Sequence, residues 1–185
     1  MNSLQEVTSG DVSKVAPGLL RIRVPLPFPP SEVNAWLLAD PDGWTLIDSG
    51  VDSPETRALF ERALAHPLLE GKPLTRLLVT HFHPDHIGLA GWLAARTGLD
   101  LHMSRLEWMQ ARLLLLENQE VELAQLVEHA RRCAAPQAFL DYLPTRGMVY
   151  PKWVGLLPHR YLRVMEGDTF TMAGSSWRVI IGEGH

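Results

Sequence analysis

Apolar and polar positions alternate, cluster and spread along the chain in a way that predicts most of its elements. Leu19-Leu20-Arg21-Ile22-Arg23-Val24 partly alternates and reads as a strand. Pro25, Pro27, Pro29 and Pro30 then force an extended, loop-like path. Val33 to Ala39 and Trp44 to Ile47 flank the turn-forming run Asp40-Pro41-Asp42-Gly43, which predicts a hairpin with Trp36 and Trp44 in its core. Ser53-Pro54-Glu55 is a helix start, with an amphipathic stretch from Thr56 to Ala65 behind it. Leu74 to Thr80 is a short apolar run of strand length. Residues 81–86 are predicted as a loop, Ile87 to Thr97 as a helix, and 99–103 as a further strand. From the hairpin onward the order is strand, strand, helix, strand, helix, strand, an α/β pattern.

From Ser104 the character changes. Residues 104–117 and 119–135 read as two helices rich in Leu, Glu, Gln, Arg and Ala, with a break near Asn118. A looser segment is expected from Pro136, and strands return only at Tyr161–Val164 and Trp177–Ile181. Residues 104–158 are therefore expected to form a helical insertion in an α/β scaffold. The run Leu113–Leu116 is read as helix core.

Composition narrows the classes. The chain has 185 residues, 46% of them hydrophobic, a length for one compact domain or one and a partial second and enough to bury a core, so disorder is not expected. A formal charge of −4, with no basic cluster, argues against a nucleic-acid partner. The only cysteine, Cys133, forbids an intrachain disulfide, and no basic and apolar leader precedes the first element, so a cytoplasmic setting is expected. No apolar run approaches the roughly 18 residues of a membrane span, so no membrane partner is expected. Eight histidines then stand out.

Three of them fall in Thr80-His81-Phe82-His83-Pro84-Asp85-His86-Ile87-Gly88, straight after the apolar strand. Pro84 disfavours a helical His83, so the segment is a tight loop. In extended chain, positions i and i+2 face the same way, so His81 and His83 can converge on one ion. Asp85 and His86, beyond the turn, can reach a second. Imidazole and carboxylate donors without a thiolate suit zinc, iron or manganese. A single histidine is ordinarily a surface or satisfied core residue, but four metal-capable side chains in six positions point to a metal site. Read alone, Asp48 in Leu46-Ile47-Asp48-Ser49-Gly50 is a turn or cap, and His185 a tail residue. Gly88 and Gly91 permit close helix packing against the loop. His66, His102 and His129 have no such neighbours, and nothing pairs Cys133 with a base.

These residues carry a resemblance. His81-x-His83-x-Asp85-His86 resembles the signature of the metallo-β-lactamase fold superfamily, in particular its dinuclear, glyoxalase II-like hydrolase branch. Leu46 to Gly50 looks like the family's earlier strand-end motif, and Gly182-Glu183-Gly184-His185 like its third. The three occur in family order. The resemblance implies an αββα sandwich and two divalent ions, zinc first with iron or manganese as alternatives. His81, His83 and His185 would hold one ion, Asp85 and His86 the other, with Asp48 supporting the loop behind them. It also implies a bridging Asp and a last His beyond His185, so the chain is expected to be the N-terminal portion of the domain, truncated in its C-terminal half.

Two ions lower the pKa of a water between them, which removes the need for a serine or cysteine nucleophile. The expected chemistry is hydrolysis of an ester-like bond in a small-molecule substrate, a thioester or lactone, with Asp85 orienting the water or taking its proton. Tyr142, Tyr150, Trp153, His159 and Tyr161 of the insertion are the candidate pocket residues, and its Leu-rich faces a candidate homodimer surface. The alternatives are a nuclease, a mononuclear iron persulfide dioxygenase, and a non-catalytic binding or assembly module that keeps metal for stability. β-Lactam hydrolysis is disfavoured, because those zinc enzymes use a cysteine on the second ion and Cys133 precedes His185.

Overall fold

The structure, a computed structural model, describes residues 12–182. Its centre is a seven-stranded mixed sheet in sequential order. The strands are β1 (Val12–Ala16), β2 (Leu19–Pro25), β3 (Glu32–Asp40), β4 (Gly43–Ile47), β5 (Leu74–Leu78), β6 (Leu101–Ser104) and β7 (Tyr161–Val164). The first four pair antiparallel, because two-residue to six-residue turns join them, and β4 to β7 run parallel, because helices cross between them. A separate antiparallel pair, β8 (Thr169–Met172) and β9 (Ser175–Arg178), lies against β3.

One sheet face buries Leu20, Ile22, Val24, Leu37, Leu46 and Leu77 under two helices, α1 (Pro54–Leu64) and α3 (Ala90–Thr97). The predicted start of α1 is the observed one: Ser53 Oγ accepts from the Thr56 N–H at 3.1 Å, and Pro54 fills the first position. Leu59, Phe60 and Ala63 recur at helical spacing and supply its buried stripe. Trp44 is buried, its Nε1 donating to the Leu69 carbonyl at 3.2 Å, whereas Trp36 is half-buried.

Between β6 and β7 the chain forms α4 (Arg105–Leu116), α5 (Gln119–Arg132), α6 (Gln137–Arg146) and the one-turn α7 (Tyr150–Trp153). Three expectations are corrected here. The looser segment after Pro136 contains α6, which carries Pro144 near its end and closes at Gly147. β1 and β8 are strands that the alternation did not reveal. The strand expected over Trp177–Ile181 is β9 at Ser175–Arg178, where every residue is exposed, and Ile180 beyond it is 80% exposed. Leu113 and Leu116 are also exposed; only Leu114 and Leu115 of that run pack on the core. No described helix is long and apolar enough to cross a membrane.

Candidate metal centre

The histidine loop lies at the carboxyl ends of the parallel strands β4 and β5, the place where open α/β sheets bind ligands. Residues 81–83 are non-helical, and His83 is extended at φ −60°, ψ 145°, as the following proline requires. A short helix, α2 (Pro84–Ile87), begins sooner than expected, because Pro84 suits a first helical position and Asp85 a first turn. The loop expected over 81–86 is thus an extended tripeptide followed by one helical turn.

Asp48 anchors this arrangement. Its backbone takes the left-handed conformation, φ 62°, which an aspartate tolerates better than most residues, and it is 6% exposed. Its Oδ1 accepts from the Thr80 N–H at 2.8 Å, and Thr80 Oγ1 donates to the same carboxylate at 2.9 to 3.0 Å. Its Oδ2 takes His86 Nδ1 at 2.9 Å. Ser49 adds its own N–H and hydroxyl to the His86 carbonyl, both at 2.8 Å. The turn-or-cap reading is therefore incomplete: the side chain ties two strand ends to the first turn of α2. Gly50, φ 77°, has no room for a Cβ, which would meet Val24 Cγ1 at 2.4 Å.

The loop side chains form one cluster. The His81 ring lies 4.9 Å from that of His83 and 4.1 Å from that of His86, centroid to centroid. Asp85 Oδ2 is 3.4 Å from His86 Nε2. Burial opposes charge on His86, but the hydrogen bonds to Asp48 and Asp85 outweigh it and raise its pKa to about 9. The same His86 contact, against some desolvation, holds the Asp85 carboxyl below the ordinary carboxylate value.

This donor set fits divalent metal. Because Thr80 Oγ1 spends its proton on Asp48, it accepts from His81 Nδ1 at 2.9 Å, which leaves His81 Nε2 as the ring's lone-pair nitrogen. His86 is fastened through Nδ1 in the same way. Metal-binding histidines are commonly held so, one nitrogen bonded behind and the other presented to the ion. Among the described residues no three His, Cys, Asp or Glu side chains already close on one point. Within the cluster the His81 ring stands nearer to His86 than to His83, and Asp85 lies against His86. His185 lies outside the described residues.

The five candidate pocket residues do not converge. Tyr142 and His159 are exposed, and Tyr161 stacks on Trp108 at 4.5 Å. Trp153 packs its ring edge-on to Phe28, and its carbonyl accepts from the Asp52 N–H at 2.8 Å. Tyr150 is 6% exposed and donates its hydroxyl to the Phe82 carbonyl at 2.7 Å. The cavity of about 480 Å³ beside His81 is lined instead by Thr80, Ser104, Leu106, Glu107, Gln110 and Ile181, with other neighbours. Glu107 had one available signal, the Ser104-x-x-Glu107 pattern of a helix start. Ser104 does cap α4, but the Glu107 carboxylate turns outward to the Phe82 N–H at 2.9 Å. Cys133 also differs from expectation: His129, one turn earlier on α5, places Nε2 3.6 Å from Sγ, an i, i+4 neighbour that helical spacing could have revealed.

Gly88 and Gly91 are close-packing positions: Gly88 lies tight against Pro84 of the loop, Gly50 and the end of α7, and Gly91 against the segment after α7. A Cβ at Gly88 would meet the Trp153 oxygen at 2.3 Å, and one at Gly91 the Leu156 oxygen at 1.9 Å. The Gly155 N–H donates to the Gly88 carbonyl at 2.9 Å, completing the contact.

The chain is similar to known proteins in sequence and in fold. The chain is 34% identical over 71 residues to the probable metallo-hydrolase YqjP of Bacillus subtilis (strain 168), a match covering 38% of this chain and 22% of that protein. A crystal structure of a beta-lactamase domain protein from Burkholderia ambifaria superposes with a TM-score of 0.77 and 34% identity, over 92% of this chain and 49% of that one. A metallo-beta-lactamase family protein from Thermus thermophilus shares the fold, at TM-score 0.67 and 24% identity, over 89% of this chain and 52% of that one. The chain thus spans about half the length, or less, of these relatives. The family model of the metallo-beta-lactamase superfamily matches residues 28–185, and the chain belongs to that superfamily.

Proposed function

We propose that the full-length protein is a metal-dependent hydrolase that cleaves an ester-like bond, a thioester or lactone, with water. One observation carries the reading: His81 and His86 are each fastened through Nδ1, with Asp85 beside them, at the carboxyl ends of β4 and β5. His81 and His83, joined by His185, would hold one ion and Asp85 with His86 a second, zinc being first choice for this nitrogen and oxygen set. When bound, such ions lower the pKa of a water and polarise the carbonyl under attack.

The chain's own residues do the rest. Thr80 holds the ring of His81 and Asp48 that of His86, each through Nδ1, so these two rings are oriented before an ion arrives. Asp85, beside His86 in the first turn of α2, can accept a hydrogen bond from the attacking water and take its proton at a carboxylate oxygen. The Bacillus relative, described as a probable metallo-hydrolase, supports the reaction class. The single free cysteine is compatible with the cytoplasmic setting we infer.

Full-length protein should be assayed for metal content and against thioester, lactone, β-lactam and phosphodiester substrates. Zinc with thioester or lactone turnover is the expected result. His83→Ala should stay folded and lose activity by about three orders of magnitude or more. Iron with oxygen uptake on a persulfide, phosphodiester cleavage, or metal with no turnover would each replace this reading.

A further inference from the structure

The peptide of Phe82 is gripped on both sides by the helical segment between β6 and β7. Its N–H, in the unit that joins it to His81, donates to Glu107 Oε2 at 2.9 Å from the first turn of α4. Its C=O, in the unit that joins it to His83, accepts from the Tyr150 hydroxyl at 2.7 Å at the start of α7. The Phe82 ring is wedged between the rings of His83, 4.7 Å away, and Tyr150, 6.4 Å away. We propose that Glu107 and Tyr150 are positioning residues that set the directions of His81 and His83, so the helical segment shapes the metal centre rather than only covering it.

The link is geometric. A side chain leaves the backbone in a direction fixed by the peptide planes on either side of it. Glu107 fixes the plane after His81, and Tyr150 the plane before His83. Loop backbone outside a sheet has no ladder to hold it, and its polar groups need partners of this kind. Tyr150 is suited to the task, since burial and the nearby Glu107 charge raise its pKa and keep the hydroxyl a donor. The sequence distance is 25 residues for one bond and 68 for the other, so neither is a local consequence of the loop.

The inference rests on the metal reading, and the test separates the two. In full-length protein, Zn(II) affinity would be measured by competition with a chromophoric chelator, Co(II) coordination by its visible spectrum, and Phe82 amide exchange without metal. Glu107→Ala should weaken Zn(II) binding about 10–100-fold and shift the Co(II) bands. It should also speed exchange of the Phe82 amide at least about tenfold. Glu107→Gln, whose amide oxygen still accepts that N–H, should restore all three. Tyr150→Phe should weaken Zn(II) about tenfold and shift the bands while retaining the ring. Folded Glu107→Ala and Tyr150→Phe proteins with wild-type affinity and spectrum overturn the inference and leave the metal reading intact. Should Glu107→Ala not fold, Tyr150→Phe decides by the same criterion. Wild-type protein that binds neither ion overturns the metal reading and the inference together.

Discussion

In the histidine loop the bonds that hold the chain reach far along the sequence. Thr80 and His86 go back to Asp48, Phe82 goes forward to Glu107 and Tyr150, and Gly88 meets Gly155. On α4, α5 and α6 many side-chain bonds are local. Gln119 bonds Glu117, Arg131 and Arg132 reach Glu128, and Gln137 bonds Asp141. The loop also sits among buried groups, whereas Leu106, Met109, Leu113 and Leu116 face outward on α4. A segment tied by distant partners exists only when the whole sheet has formed. One tied by neighbours forms its outer surface independently, and only its inner surface depends on the fold. Substitutions should therefore separate steeply between the two regions.

The largest effect should come from Asp48→Ala. It strands the Thr80 N–H and leaves His86 beside Asp85 without its main anchor. Breaking a largely buried, hydrogen-bonded pair should cost about 2–4 kcal/mol, measured by urea denaturation of metal-free, full-length protein. A loss under about 0.5 kcal/mol, the range of ordinary surface changes, would show that the loop is not held from Asp48.

A smaller loss is expected where the two regions touch. In Gly91→Ala the new methyl carbon would stand 1.9 Å from the Leu156 carbonyl oxygen, a backbone atom that moves only with its segment. Overpacking of this kind costs about 1–3 kcal/mol. Thermal unfolding of full-length protein would read it. An unchanged melting temperature would mean that the strap after α7 is loosely laid and that the contact with Gly155 is incidental.

How far the sequence reveals these features depends on the range of the forces behind them. The hairpin β3–β4, the start of α1 and the break at Asn118 rest on neighbours, and turn residues or caps display them. The dense cluster His81, His83, Asp85 and His86 shows because its donors are adjacent in the chain. β1 and β8 are short, with Lys14 and Thr171 exposed within them, so their alternation is too brief to register. α6 hides behind Pro136 and Pro144, which read as breakers although one precedes the helix and the other lies in its last turns. Glu107 and Tyr150 could not be assigned to Phe82 from spacing, because their partner is chosen by how α4 and α7 pack. Aromatic side chains at 142, 150, 153, 159 and 161 suggest a pocket by type, but three of them spend their surfaces on the protein itself.

The smallest effect is the sharpest control on the contrast. Leu106, Met109, Leu113 and Leu116 recur at three- and four-residue spacing and so share one outer face of α4, where Leu116 is 76% exposed. Leu115, one position earlier, is half-buried and packs on the core. Leucine and glutamine have similar helix propensities, so a Leu→Gln change at either site leaves the backbone preference nearly untouched. What differs is the burial of the side chain. Leu116→Gln should change stability by no more than about 0.5 kcal/mol, since little apolar surface leaves or enters water. Leu115→Gln should cost about 1–2 kcal/mol, through lost apolar burial and a partly desolvated amide. Paired urea titrations on full-length protein would read the difference. Equal losses at the two positions would mean that the outer face of α4 is covered there, and that its helices too are held by distant partners.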